Sequence, residues 1–213
     1  MILISVDYMV TRILCFGDSN TRGYIPGTDH ERFPANVRFP KVLQKLTGKN
    51  FEIIEDGQDS RTIMHEDTRP GKEGRVGSVQ IVPCLDSNAP LNVVILMLGT
   101  GELKHKFQNT PEQVGALLEK HFVKVILKRG IKLVIVSPPV LNEKTAYSKQ
   151  RYVGGTEKSK QLSNVYSKIA KDNKCDFVDA SKLKVGSDGV HMTKASQIKL
   201  AEMLVSKIKQ MKF

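Results

Sequence analysis

Residues 92–104 read NVVILMLGTGELK. Six apolar residues, Val93 to Leu98, run without a break into Gly99-Thr100-Gly101-Glu102. No polar residue alternates with them. The run therefore predicts a strand buried on both faces, as in a parallel sheet covered by helices. Four similar runs lie at 12–16 (RILCF), 51–55 (FEIIE), 131–137 (IKLVIVS) and 176–179 (DFVD). Helical patterns separate them. Residues 39–47 put Val42, Leu43 and Leu46 on one face. Residues 111–129 open on Thr110 as N-cap with Pro111 at the first helical position, and stop at Gly130. Helices are also expected over 157–173 and 193–211, the last capped by Thr193. Strands alternating with helices define an α/β domain with a parallel sheet and helices on both faces. Residues 58–90 and 138–156 read as long irregular loops, which in a compact α/β domain tend to carry function.

The bulk numbers agree with this frame. At 213 residues and 40% hydrophobic, the chain suits one domain with a substantial core. Residues 1–8, before Met9, read as a short N-terminal extension or an over-called start. The first residues, MILISVDYMVTR, have no positive leader region, and no apolar run reaches the roughly 18 residues of a membrane span. A cytoplasmic protein with no membrane partner is expected. Cys15, Cys84 and Cys175 are too few and too far apart for a disulfide framework or zinc site. His30, His65, His105 and His121 lack ligand-spaced partners, so no metal and no cofactor is expected. The net charge of +11 raises nucleic acid as a partner. The lysines are scattered over helix faces without interleaved aromatic residues, so solvated faces and no nucleic acid are expected.

In open parallel sheets, ligands bind beyond the carboxyl ends of the strands. Those ends carry Gly17-Asp18-Ser19-Asn20-Thr21, then residues 56–62 (DGQDSRT), GTGE, Ser137-Pro138-Pro139, and finally residues 187–191 (SDGVH). The GTGE turn lacks the spacing and the lysine of a phosphate loop. The last segment is the most chemical. Asp188, three residues before His191, is placed to accept the imidazole Nδ1–H and leave Nε2 as a base. Ser19 stands at the same sheet edge as a candidate nucleophile. Asp179 reads as a loop cap rather than a second acid.

Together these segments resemble the GDSL-like, or SGNH, hydrolase family, in its arylesterase and acyltransferase branch. ILCFGDSNTRGY (13–24) is similar to the first family block, IIEDGQDSRTIMHED (53–67) to the second and SDGVHMTKASQIKLAE (187–202) to the last. RFPKVLQKLTG (38–48) resembles the segment after the first block. The resemblance implies a flavodoxin-like three-layer α/β/α sandwich with five parallel strands. It implies Ser19 as nucleophile, His191 as base and Asp188 as the acid that orients it. It implies an oxyanion hole built on the N–H groups of Ser19 and Ser60, with Gly57 an alternative to Ser60 that more simply makes the turn.

The third block departs from the family pattern. Gly-x-Asn-Asp is usual there, with the Asn amide as a further oxyanion donor; here Gly101 holds the Asn position and Glu102 the Asp position. The Gly101 N–H, Asn20, Arg22 or Gln58 are candidate replacements. Asp18, Asn20, Pro139 and Val190 are the expected substrate-binding residues, although Asp18 also suits a turn and Pro139 a strand stop. His65 is a further pocket candidate. The implied activity is a serine esterase cleaving small carboxylic esters or thioesters, weakened at Gly101. A carbohydrate O-deacetylase on the same triad and a catalytically silent binding member are the alternatives. The partner is then a small-molecule ester, and the branch makes a homo-oligomer an expectation.

Overall fold

The computed structural model describes residues 10–211. The proposed extension over 1–8 lies outside the described residues. The chain runs β1 (Thr11–Gly17), α1 (Ser19–Arg22), α2 (Phe39–Thr47), β2 (Phe51–Gly57), α3 (Gly77–Ser87) and β3 (Val93–Met97). It continues through α4 (Pro111–Leu118), a π turn (Glu119–Val123), α5 (Lys124–Leu127), β4 (Lys132–Ser137), α6 (Ala146–Arg151), α7 (Gly155–Asp172), β5 (Asp176–Asp179) and α8 (Lys194–Gln210). The five strands form one sheet in the order β2-β1-β3-β4-β5, every pair parallel. This is the α/β fold expected from the strand runs.

Strand side chains alternate between faces, and the core divides accordingly. Leu14, Phe16, Val94, Leu96, Leu133 and Ile135 pack with Ile81 of α3, Val114 of α4 and Leu162 and Tyr166 of α7. Ile13, Cys15, Val93, Ile95, Val134 and Val136 pack with Phe39 and Leu43 of α2 and Leu200 and Leu204 of α8. Each such side chain contributes roughly 1.5–3 kcal/mol by burial. Two faces needing cover explain why β3 carries no polar residue. No helix among the described residues is long and apolar enough to cross a membrane.

The helix caps hold as expected. Thr110 Oγ1 accepts from Gln113 N at 3.2 Å while Gln113 Oε1 accepts from Thr110 N at 2.8 Å, a reciprocal capping box. Thr193 Oγ1 accepts from Ser196 N. The helix from Pro111 is interrupted by the π turn rather than running evenly to residue 129.

Two expectations need correction. The region 58–90 is not all loop: it contains α3. Pro83 inside that helix and solvent-facing Val79 and Val82 hide its period, because apolar residues lie on both faces. Likewise 138–156 contains α6, capped by Thr145 through Ser148 N. It is too short for periodicity to register.

Candidate active site

The carboxyl edge of the sheet is built from β1 outward. Asp18 caps α1: its Oδ1 accepts from Asn20 N at 2.9 Å, and its carbonyl accepts from Arg22 N at 3.0 Å. Gly23 closes the turn in the left-handed region, φ 84°, donating to the Ser19 carbonyl. Ser19 is thus fixed on a single tight turn at the strand tip. The turn fits because two neighbours have no side chain. A Cβ on Gly17 would lie 2.0 Å from Thr21 Oγ1, and one on Gly57 would lie 2.1 Å from Arg22 N. Gly57 is therefore a close-approach residue ending β2, not the turn residue expected from sequence.

The loop before α8 supplies the rest. Asp188 Oδ1 accepts from the N–H groups of Val190 and His191, both at 2.9 Å. Its Oδ2 lies 2.6 Å from His191 Nδ1 and accepts from Gly27 N at 3.2 Å. A carboxylate only accepts, so Nδ1 carries the proton and Nε2 is the free base. His191 Nε2 is 2.8 Å from Ser19 Oγ. Burial opposes the Asp188 charge. The hydrogen bond and charge of His191, with the two loop N–H groups, outweigh it and bring the carboxyl down to about 2. Ser19, His191 and Asp188 are all buried, and the Tyr24 ring stacks on the imidazole at 4.1 Å between centroids.

A cavity of about 250 Å³ opens over this series. Ser19, His191, Asp18, Ser60 and Gly101 all line it. Asn20, Pro139 and Val190 do not. Asn20 is spent on the loop that carries His191, accepting from Met192 N at 2.8 Å and donating to the Val190 carbonyl at 3.4 Å. Val190 is buried in the hydrophobic core, and Pro139 is buried beyond the end of β4. Asn20 thus holds the His191 loop, and none of the three lines the cavity. His65 also lies elsewhere, stacked on Phe107 at 4.7 Å, while His30 takes a place on the cavity wall. Asp179 is a cap, accepting from the Ser137 and Ser163 hydroxyls and from Ser181 N.

The second and third blocks meet opposite the serine. The N–H groups of Ser19, Ser60 and Gly101 take no acceptor among the described residues. Ser60 sits at φ 62°, a conformation that costs a non-glycine residue on the order of 1 kcal/mol. Glu102 explains how the corner closes. It is fully buried, and its Oε1 accepts from Ile63 N at 2.5 Å and Met64 N at 3.1 Å. The side chain ties the end of β3 to the second block. The two segments come so close that a Cβ on Gly101 would lie 3.0 Å from the Arg61 carbonyl and 3.4 Å from Thr62 Cγ2. Arg61 secures the same block from below, with Nη1 on the Gly17 and Asp56 carbonyls and Nη2 on Asp56 Oδ1.

Several lining residues carried no signal in the sequence: Tyr24, Tyr147, Tyr152, Arg69, Lys104 and Arg151. Tyr24 closes the first block, but nothing in its spacing foretells the stack on His191. Arg69, Tyr147, Arg151 and Tyr152 come from the two long irregular regions and Lys104 from the segment after β3, whose paths only the folded chain fixes.

A parallel α/β sheet with serine, histidine and aspartate hydrogen-bonded in series at its carboxyl edge is the frame of an acyl hydrolase. The family model for GDSL-like lipase/acylhydrolase matches residues 13–204, and the chain belongs to that family. Among solved structures, the inhibitor-bound aryl esterase of M. smegmatis is 33% identical with a TM-score of 0.85, covering 94% of this chain and 99% of that one. Est24, a carbohydrate acetylesterase from Sinorhizobium meliloti, is 30% identical with a TM-score of 0.86, covering 93% and 98%. Comparison with curated proteins returned no match. The neighbours are SGNH arylesterases and carbohydrate acetylesterases, so the chain is a hydrolase of an ester-cleaving family.

Proposed function

We propose that the protein is a serine esterase cleaving small carboxylic esters or thioesters through an acyl-serine intermediate. One observation carries this: the unbroken Ser19 Oγ–His191 Nε2 and His191 Nδ1–Asp188 Oδ2 series, at 2.8 and 2.6 Å, on the cavity wall. His191 takes the hydroxyl proton as Ser19 Oγ attacks the carbonyl. Asp188 fixes the tautomer and stabilises the imidazolium. His191 then returns the proton to the departing alcohol or thiol. Water, activated by the same base, releases the acyl group. The oxyanion is received by the N–H groups of Ser19, Ser60 and Gly101.

An amide side chain is missing from that hole. One such donor is worth about 10²–10³ in kcat, so turnover is expected to be slow. The test is hydrolysis of p-nitrophenyl acetate, together with covalent labelling of Ser19 by a fluorophosphonate. Turnover and labelling that both disappear in Ser19→Ala support the esterase. No turnover and no labelling in the native protein would instead mark a silent member of the family.

A carbohydrate O-deacetylase is the second reading, favoured by the likeness to Est24 and by a cavity wall rich in hydroxyl and charged groups. Acetate release from acetylated xylo-oligosaccharides, faster than from p-nitrophenyl acetate, would select it.

A further inference from the structure

The wall of the cavity farthest from convention is its charge. Arg69, Lys104 and Arg151 line the active-site cavity and also line a second pocket of about 230 Å³. The remaining walls of that pocket are His105, Lys106 and Gln150, and no carboxylate lines it. The two spaces therefore share a cationic partition.

The charge there is under-compensated. Asp67 is the carboxylate of the cluster, and it is buried. Its Oδ2 pairs with Lys104 Nζ at 2.7 Å and with Arg69 Nη2, and its Oδ1 with Lys106 Nζ at 2.9 Å. Burial opposes its ionisation, but the three cations outweigh that and hold the carboxyl well below its usual range. Arg151 has no carboxylate partner among the described residues; its guanidinium lies 4.2 Å from the Tyr147 ring centre and donates to the Tyr147 carbonyl. Four cations thus face one buried carboxylate. Lys104 is itself buried, and burial pulls its ammonium down despite Asp67.

Carboxylates do line the active-site cavity. Asp18 caps α1 through Asn20 N, Asp59 Oδ2 pairs with Arg22 and His30, and Asp29 stands fully in solvent. None of the three is paired with Arg69, Lys104, Lys106 or Arg151 among the described residues. Cations held at a site without matching anions attract a ligand that brings the anion. Arginine beside an aromatic ring, with lysines around it, is a recurrent receptor for carboxylate or phosphate.

We propose that the substrate of Ser19 is an anionic ester, with a carboxylate or phosphate seated on Arg151, Arg69 and Lys106 while its ester carbonyl reaches Ser19. This rests on the esterase reading and assigns that site its substrate class.

Two matched pairs of esters test it. Mono-p-nitrophenyl glutarate against its methyl ester places the charge on the acyl side. 4-Acetoxybenzoate against its methyl ester places it on the leaving side. In at least one pair the charged ester is expected to have about tenfold higher kcat/KM, the scale of one charge-assisted hydrogen bond. That preference should collapse in about 1 M salt, where screening acts within about 3 Å. Arg151→Gln and Lys106→Gln should each lower the charged-to-neutral ratio several-fold, and Arg151→Lys should restore part of it. A ratio at or below one in both pairs, or a ratio that neither variant moves, overturns the proposal.

Failure of the esterase reading looks different: neither neutral ester turns over and fluorophosphonate leaves Ser19 unlabelled. In that event the anion site is read by calorimetry, with glutarate and inorganic phosphate as separate probes of the native protein. Binding that Arg151→Gln abolishes supports the anion site, and no binding of either probe overturns it.

Discussion

Two corners of the active site are made in opposite ways. On one side Ser19, His191 and Asp188 are held by bonds inside two short segments: a one-turn helix capped by Asp18, and a loop whose own N–H groups close on Asp188. On the other side the second and third blocks are tied to each other by long reaches. Glu102 spans 39 residues to Ile63 N, and Lys104 spans 37 to Asp67. Each half of the first corner is shaped locally and joined to the other through Asn20 and Gly27; the second corner is specified by long-range bonds. Chemistry that depends on the first should therefore be sensitive to single atoms, and the second should accept rebuilding.

Breaking the local corner should have the largest effect. Asp188→Asn keeps an oxygen for the loop N–H groups but offers His191 an N–H donor, which disfavours the working tautomer. A fall in kcat of about 10³–10⁴ is expected, with little change in thermal stability. A loss under tenfold on p-nitrophenyl acetate would mean that His191 is oriented by Tyr24 instead.

Next comes the tie between the distant blocks. Glu102→Ala leaves the Ile63 and Met64 N–H groups unpaired in the interior. The expected cost is about 1–3 kcal/mol of stability by urea unfolding, with kcat falling about tenfold as Ser60 loses its place. Unchanged activity in a destabilised protein would separate the tie from catalysis.

Gly101→Asn sharpens the comparison in the other direction. The added amide restores a donor worth about 10²–10³, but its Cβ must push the Arg61 carbonyl back by a few tenths of an ångström. A gain of about tenfold in kcat is expected. A lower rate would show that the closed corner already does what the amide does elsewhere.

The last effect is read on stability. Burial lifts the Asp18 carboxyl to about 6, against the opposing Asn20 N–H and the charge of His191. A carboxyl raised in the folded state binds a proton there that the unfolded chain has already released. Stability is thus highest below about pH 4 for this group and falls as pH rises toward 6. Asp18→Asn keeps the cap and removes the charge. It should stabilise the fold by about 1–3 kcal/mol at pH 7 and by nothing near pH 4. Equal gains at both pH values would assign the effect to packing.

The same contrast explains what could be read from the chain. Strands such as Val93–Met97 are legible because burial on both faces leaves only apolar residues. Ser19, Asp188 and His191 are legible because each sits in a short segment with its own turn chemistry. Asn20 was nameable as a neighbour of the nucleophile, but its direction was not, because its partners Val190 and Met192 lie 170 residues away or more. The cationic partition is illegible for the same reason. Arg69, Lys104 and Arg151 come from three separate segments, the last at the end of α6, and in sequence they are three of 33 basic residues with nothing to join them.

Gly17 and Gly57 lead to a consequence for how this sequence can vary. Each is a place where an atom is forbidden: the volume a methyl group would need is already occupied by Thr21 and by the Arg22 backbone. The nucleophile is aimed by two absences as much as by any bond. In a library randomised at positions 17 and 57 and selected for ester cleavage, glycine should return at both, while Asn20, with every group hydrogen-bonded, should still admit a few polar substitutes. Mutational intolerance would then map the filled space around the serine turn, a surface that no chemical reagent can label.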